Sequence, residues 1–219
     1  MGGGPLLTLD ASAARCAAAV FSDGRALALR DEPMTRGQAE RLGPMIAEVL
    51  AEAGLRAPDL GGVVVCTGPG NFTSLRIAVA AARGLALGAG RPAVGVPRLA
   101  ALAATQAGRG VAAAAATRGR IYVQTYETTD GIPAALGELT AIAEDARAEA
   151  LEDAEWAVGP VAAQAALPGG TSDLAPLAAL ARLGARALAA GGAPRPAPIY
   201  LRPPDAAPPS EAPPPRLPA

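Results

Sequence analysis

The chain has 219 residues, 51% of them hydrophobic, and a formal net charge of -1, enough length for one large domain or two small ones around a real core. The near-zero charge and the 3% aromatic content remove the electrostatic and stacking arguments for direct nucleic-acid or membrane binding. There is no histidine and no lysine, all 19 basic residues being arginine, so an imidazole triad, an H-E-x-x-H zinc site, a Walker lysine and a Schiff base have no residue to use.

In chain order, MGGGPLLTLD carries no cationic stretch ahead of an apolar one, so no secretory signal is expected and the cytoplasm is the expected compartment. Three strands follow, Leu6 to Asp10, Cys16 to Phe21 and Arg25 to Arg30, the last two joined by a turn at Ser22-Asp23-Gly24. From about Arg36 to Gly54, the residues Leu42, Met45, Ile46, Val49, Leu50 and Ala53 recur with the period of one helix face. Glu40, Arg41, Glu48 and Glu52 take the wet side, and Pro44 is expected to kink the helix or to start its regular part. A buried strand, Val63 to Cys66, then runs through Gly68-Pro69-Gly70 into a second helix that ends near Gly88. A strand from Ala93 to Val96 and a helix from Pro97 to Ala107 complete the first half. No apolar run reaches the ~20 residues of a membrane span. Cys16 and Cys66 lie inside apolar runs and are expected to be buried, unpaired thiols.

The second half reads as strands Val111 to Ala116 and Arg120 to Glu127, a helix from Thr140 to Leu151, a strand from Glu155 to Val158 and an alanine-rich helix from Asp173 to Ala190. The last 17 residues, Pro203 to Ala219, hold eight prolines and are expected to be disordered. Three strands followed by helix, strand and helix are the order of a ribonuclease-H-like half, and two such halves in tandem make the actin-like ATPase architecture. The expected division is an N-terminal lobe over 1–97, a smaller lobe over 98–202 and the tail over 203–219.

Two readings of the Gly-Pro-Gly turn stand side by side. As an anion site, glycines admit a phosphate close to the backbone at a helix N-terminus, with Asn71, Thr73 and Arg76 as donors. As a corner, Gly68 and Gly70 allow a tight turn and Asn71 or Thr73 caps the helix. Asp10 likewise reads either as the acid of a nucleotide site or as a structural group bonding the Ala11–Ala13 turn. The nucleotide candidates are therefore Asp10, Gly68, Gly70 and Thr73. The helix after the turn keeps only Arg76 and Arg83 as charges, so it is expected to be covered on more than one side. The residues expected at an interface are Leu42, Met45, Ile46 and Val49 on the first helix, with Leu75, Ala78, Val79, Ala82 and Leu85 on the second. Glutamate at Ala78 or Ala82 is then expected to break a complex and leave the monomer folded.

Six blocks, LLTLDASAARCAAAVFSDG, RGQAERLGPMIAEVL, VVVCTGPGNFTSLRIAVAAARGLALG, PAVGVPRLAALA, RGRIYVQTYE and APIYLRPPDA, resemble in their order the TsaB family. This family supplies the dimerisation subunit of the bacterial complex that makes threonylcarbamoyladenosine in tRNA, and it was formerly grouped with glycoprotease-like proteins. The resemblance implies a two-lobed actin-like fold, no catalytic residues and no cofactor or metal in this chain. It also implies pairing with the homologous catalytic subunit TsaD through a bundle of two helices from each subunit, here those of Gln38–Ala53 and Thr73–Leu87. The small ATPase TsaE joins them, a homodimer forms when the partner is absent, and tRNA is met only through the complex, with no membrane. Departures from the family pattern are Asn71 in place of serine, Ser74 in place of glycine and Gln38 near a usual histidine. The competing reading is a stand-alone actin-like ATPase or sugar-kinase-like enzyme using Asp10 and the Gly68–Gly70 turn. A peptidase has neither a histidine nor a paired nucleophile and base to work with.

Overall fold

The computed structural model describes residues 4–172, 174–191 and 194–201. The expected tail, 203–219, and Asp173 lie outside the described residues.

Strands β1 (Leu6–Asp10), β2 (Arg15–Ser22) and β3 (Arg25–Pro33) form an antiparallel meander, and β4 (Gly62–Cys66) and β5 (Ala93–Val96) add to it in parallel. The order is β3-β2-β1-β4-β5. Alternation along each strand splits the side chains between two cores. Leu7, Leu9, Cys16, Ala18, Val63 and Val65 face helices α1 (Gln38–Glu52) and α2 (Phe72–Ala89). Ala17, Ala19, Val64, Cys66 and Val94 face helix α5 (Leu177–Ala190) on the opposite side.

The second sheet repeats this plan. Strands β6 (Gly108–Ala115), β7 (Arg120–Thr129) and β8 (Ile132–Ala135) are antiparallel, and β10 (Trp156–Val158) and β11 (Gly169–Gly170) add in parallel, in the order β11-β10-β6-β7-β8. Strand β9 (Thr140–Ala143) pairs with β7 off this path. Two ribonuclease-H-like halves in tandem make the actin-like fold. The helix after each sheet crosses over: Leu99 and Leu102 of α3 (Arg98–Ala103) pack on the second sheet, whereas α5 packs on the first. A division at residue 97 would separate the two sheets and leave α3 with the second, while α5, later in the chain, packs on the first.

Several expectations need correction. The helix expected over Thr140–Leu151 is strand β9, a 3-10 turn (Glu144–Ala146) and one short helix, α4 (Arg147–Ala150). Thr140 to Ala143 pair with Val123 to Arg120, so the register of β7 overrides alanine's helical preference. Strand β8 was not anticipated; its Pro133 is tolerated because β8 is an edge. Pro44 lies within α1 rather than at its start. Helix α2, with 18 residues and a mean hydropathy of 1.2, is long and apolar enough to cross a membrane; in this fold it lies against β4 and α1.

Glycine sets the approach of α5 to its sheet. A Cβ on Gly184 would stand 2.6 Å from Val64 Cγ1, inside contact distance. Gly184→Ala is expected to lift α5 and cost about 1–3 kcal/mol, typical of overpacking. An unchanged urea midpoint would refute this approach.

Candidate functional site

The candidate residues gather where β1, β4 and the start of α2 meet. Asp10 ends β1 with no exposure to solvent. Its Oδ1 accepts from Ser12 N at 2.8 Å, and its Oδ2 accepts from Arg15 Nη2 at 2.7 Å and Nε at 3.2 Å. Arg15 Nη1 also reaches Asp31 Oδ2 at 2.9 Å, and Nη2 donates to the Ala175 carbonyl. Burial alone would raise the Asp10 carboxyl, but the Arg15 guanidinium and the bonds from Ser12 outweigh it and hold the group below its usual 3.8. The acid is thus neutralised by its own chain, as the structural reading of Asp10 requires.

The Gly-Pro-Gly turn sits on the Asp10–Arg15 turn. Asn71 N donates to Ser12 O at 2.9 Å, and a Cβ on Gly70 would stand 2.8 Å from the Ser12 carbonyl carbon. Glycine at 70 is what lets the two turns touch. Gly68 has φ 88, its bond to Pro69 is cis, and its carbonyl accepts from Arg98 N at 2.7 Å. The buried Arg98 guanidinium donates to Pro69 O at 3.3 Å. Asn71 caps α2, its Oδ1 accepting from Thr73 N at 3.1 Å and Ser74 N at 3.2 Å, a bond worth about 1 kcal/mol.

The Ser12 backbone fills the space between these two turns. Asp10 is turned to Arg15, Gly68 and Gly70 are spent on packing, and Thr73 stands exposed outside the turn. The structure brings Asp10 and the turn together in a packed corner. Sequence reasoning missed Ser12, Arg15 and Arg98, which hold that corner. An arginine five residues after Asp10, across a short turn, was the available signal. A hollow of about 90 Å³ lies at the second sheet, lined by Ala116, Thr117, Arg120, Tyr122, Ala141 and Leu201. Small-molecule sites run to roughly 300–1,000 Å³.

The residues expected at an interface lie elsewhere than expected. Leu42, Met45, Ile46, Val49, Ala78, Val79 and Ala82 are buried in the core between helices and sheet, Leu75 is buried beside Gly68, and Leu85 packs against the core half-buried. The stripe read from the sequence is the inward face, so Ala78→Glu and Ala82→Glu would place a charge at fully buried positions. The outward faces are different residues. On α1, beside the exposed Glu40, Pro44, Glu48 and Glu52, they include Ala39, Gly43, Ala47 and Ala51; on α2, beside Arg76 and Arg83, they include Thr73, Ala80, Gly84 and Leu87, the last 76% exposed. The four-residue spacing on α1 and the smallness of these side chains were the signals available for finding them. Gly43 and Gly84 have open space where a Cβ would stand.

A profile of the family described as "TsaD: tRNA N6-adenosine threonylcarbamoyltransferase" matches residues 32–175. The chain is 33% identical over 127 residues to the tRNA threonylcarbamoyladenosine biosynthesis protein TsaB of Escherichia coli, covering 56% of this chain and 54% of that protein. It is 36% identical over 98 residues to the protein of the same description in Haemophilus influenzae, covering 45% and 41% respectively. The matches thus span about half the length of these curated relatives. A Pseudomonas aeruginosa crystal structure described as an uncharacterized protein with similarity to peptidase YeaZ superposes with a TM-score of 0.77 at 29% identity, covering 91% of this chain and 100% of that one.

Proposed function

The chain belongs to the TsaD family, tRNA N6-adenosine threonylcarbamoyltransferase, as a TsaB-type member, and we propose that it is a non-catalytic subunit that docks on a homologous catalytic subunit. The complex transfers a threonylcarbamoyl group to the adenosine beside the anticodon of tRNA, in the cytoplasm, with the catalytic residues on the TsaD-type partner. The single observation that carries this reading is an exposed stripe of small or apolar residues on the paired helices, Ala39, Gly43, Ala47 and Ala51 on α1 and Ala80, Gly84 and Leu87 on α2, flanked by Glu40, Glu48, Glu52 and Arg83. Small side chains let helix backbones approach closely, so two such pairs can close into a four-helix bundle. The resident chemistry agrees with a scaffold role: Asp10 is paired with Arg15 and the Gly68–Gly70 turn is packed against Ser12. A small ATPase of the TsaE type joining the pair, and a homodimer through the same face when the partner is absent, belong to this proposal.

Depletion of the chain from its native cell is expected to remove threonylcarbamoyladenosine from tRNA hydrolysates, measured by mass spectrometry. The purified chain alone is expected to transfer nothing, and transfer should appear when the catalytic subunit is added. Transfer by the chain alone would overturn the proposal.

A further inference from the structure

The segment at residues 194–201 is neither helix nor strand, yet it touches both halves of the fold. Pro196 packs on β5: a Cβ on Gly95 would meet Pro196 Cβ at 3.3 Å. Ile199 N donates at 2.9 Å to the carbonyl of Thr67, the residue after β4. Tyr200 lies against Phe72 with ring centroids 5.0 Å apart, and its hydroxyl accepts from Arg76 Nε at 2.7 Å. The Arg76 guanidinium carbon stands 3.7 Å from the Phe72 centroid, so one cation ties both rings to the first turns of α2. Leu201 lines the hollow of the second sheet together with Ala116, Thr117 and Tyr122. The carboxyl ends of parallel strands are where open α/β sheets leave a crevice for ligands. Here the chain's own backbone runs along the ends of β4 and β5.

We infer that residues 196–201 are a latch that closes the seam between the two halves and fixes the first turns of α2, and that its opening is a built-in conformational step. The halves have a second tie on another side: Arg182 of α5 donates to Ala104 O at 2.6 Å and to Gly131 O at 3.3 Å. The latch is the weaker element: among the described residues its ties are the Ile199–Thr67 backbone bond, the Arg76–Tyr200 bond, the packing of Pro196 and Leu201, and two rings that are 41% and 44% exposed. Elements with few buried contacts open first.

Hydrogen exchange read by mass spectrometry on the full chain tests the latch without any partner. Tyr200→Ala is expected to speed exchange about 10-fold both at Phe72–Arg76 and at Ala116–Tyr122, leaving α5 protected. Tyr200→Phe keeps the ring, so its effect should stay within roughly threefold. Ile199→Pro, which removes the donor to Thr67, is a second and independent release and should reproduce the Tyr200→Ala pattern. Faster exchange on α2 alone would overturn the inference, since the contact would then be local. Unchanged exchange in both Tyr200→Ala and Ile199→Pro would overturn it as well.

Discussion

Arg15→Met is expected to lower the stability of the chain at neutral pH by about 3–5 kcal/mol, the usual cost of stripping one partner from a buried ion pair. Read in urea, this is a fall of roughly 2 M in the midpoint for a chain of this size. Asp10 is fully buried and accepts two bonds from the Arg15 guanidinium, so the variant leaves a carboxylate compensated by Ser12 and Arg98 without its nearest cation. Asp10→Asn should cost less, because the Arg15 left behind keeps Asp31, whose side chain is 36% exposed, at 2.9 Å. The two variants also differ in acid. The folded-state value of Asp10 lies below its usual 3.8, so the unfolded chain binds the proton more readily. The stability this group contributes is complete above that usual value and is lost as pH falls through the lowered one. Asp10→Asn should flatten that acid limb. Arg15→Met should move its onset upward, because burial then acts on the carboxyl with little opposition. An Arg15→Met chain within about 1 kcal/mol of the parent would mean that the pair does not hold the corner.

Ala80→Glu and Leu87→Glu are expected to weaken binding of the catalytic partner by about 30–100-fold, or ~2–3 kcal/mol. Their melting temperatures should stay within about 2 °C of the parent, since surface substitutions away from special features are nearly neutral. Both positions are exposed in the lone chain, and in the proposed bundle a carboxylate at either would be taken out of water. Ala78 lies two residues before Ala80 on the same helix but has no exposure, so Ala78→Glu should unfold the first lobe instead. Size-exclusion co-elution, isothermal titration and thermal melts on the three variants separate core from interface. Parent-like affinity in both Ala80→Glu and Leu87→Glu would remove α2 from the docking face.

What could be read from the residues, and what could not, follows from how far each signal reaches along the chain. The five strands of the first sheet and both of its long helices are set by local pattern, from the Ser22–Gly24 turn to the asparagine cap at Asn71 and the left-handed Gly90 that ends α2. Periodicity showed that Leu42, Met45, Ile46 and Val49 share a face, but it does not say what that face meets. The apolar excess of α2 was largely alanine and glycine, which raise mean hydropathy while adding little surface to bury. Hence these residues do share a face, and in the lone chain that face is turned inward. In the second half, Thr140–Ala143 could be assigned only by its partner β7, across an intervening strand. The corner at Asp10 depended on Ser12 meeting Gly70, and the cluster at Phe72 depended on Tyr200, 128 residues further along the sequence. Neither contact leaves a local trace.

The two cysteines sit on opposite faces of one sheet, Cys16 beneath α1 and α2 and Cys66 beneath α5. Burial pushes the thiols up to about 11 and about 12, so both are dormant in the closed chain at neutral pH. Each becomes reactive only when the helices above it lift. A thiol reagent therefore reports separately on the two helical layers: modification of Cys16 signals loosening on the side proposed to dock, and modification of Cys66 signals loosening on the side that α5 covers.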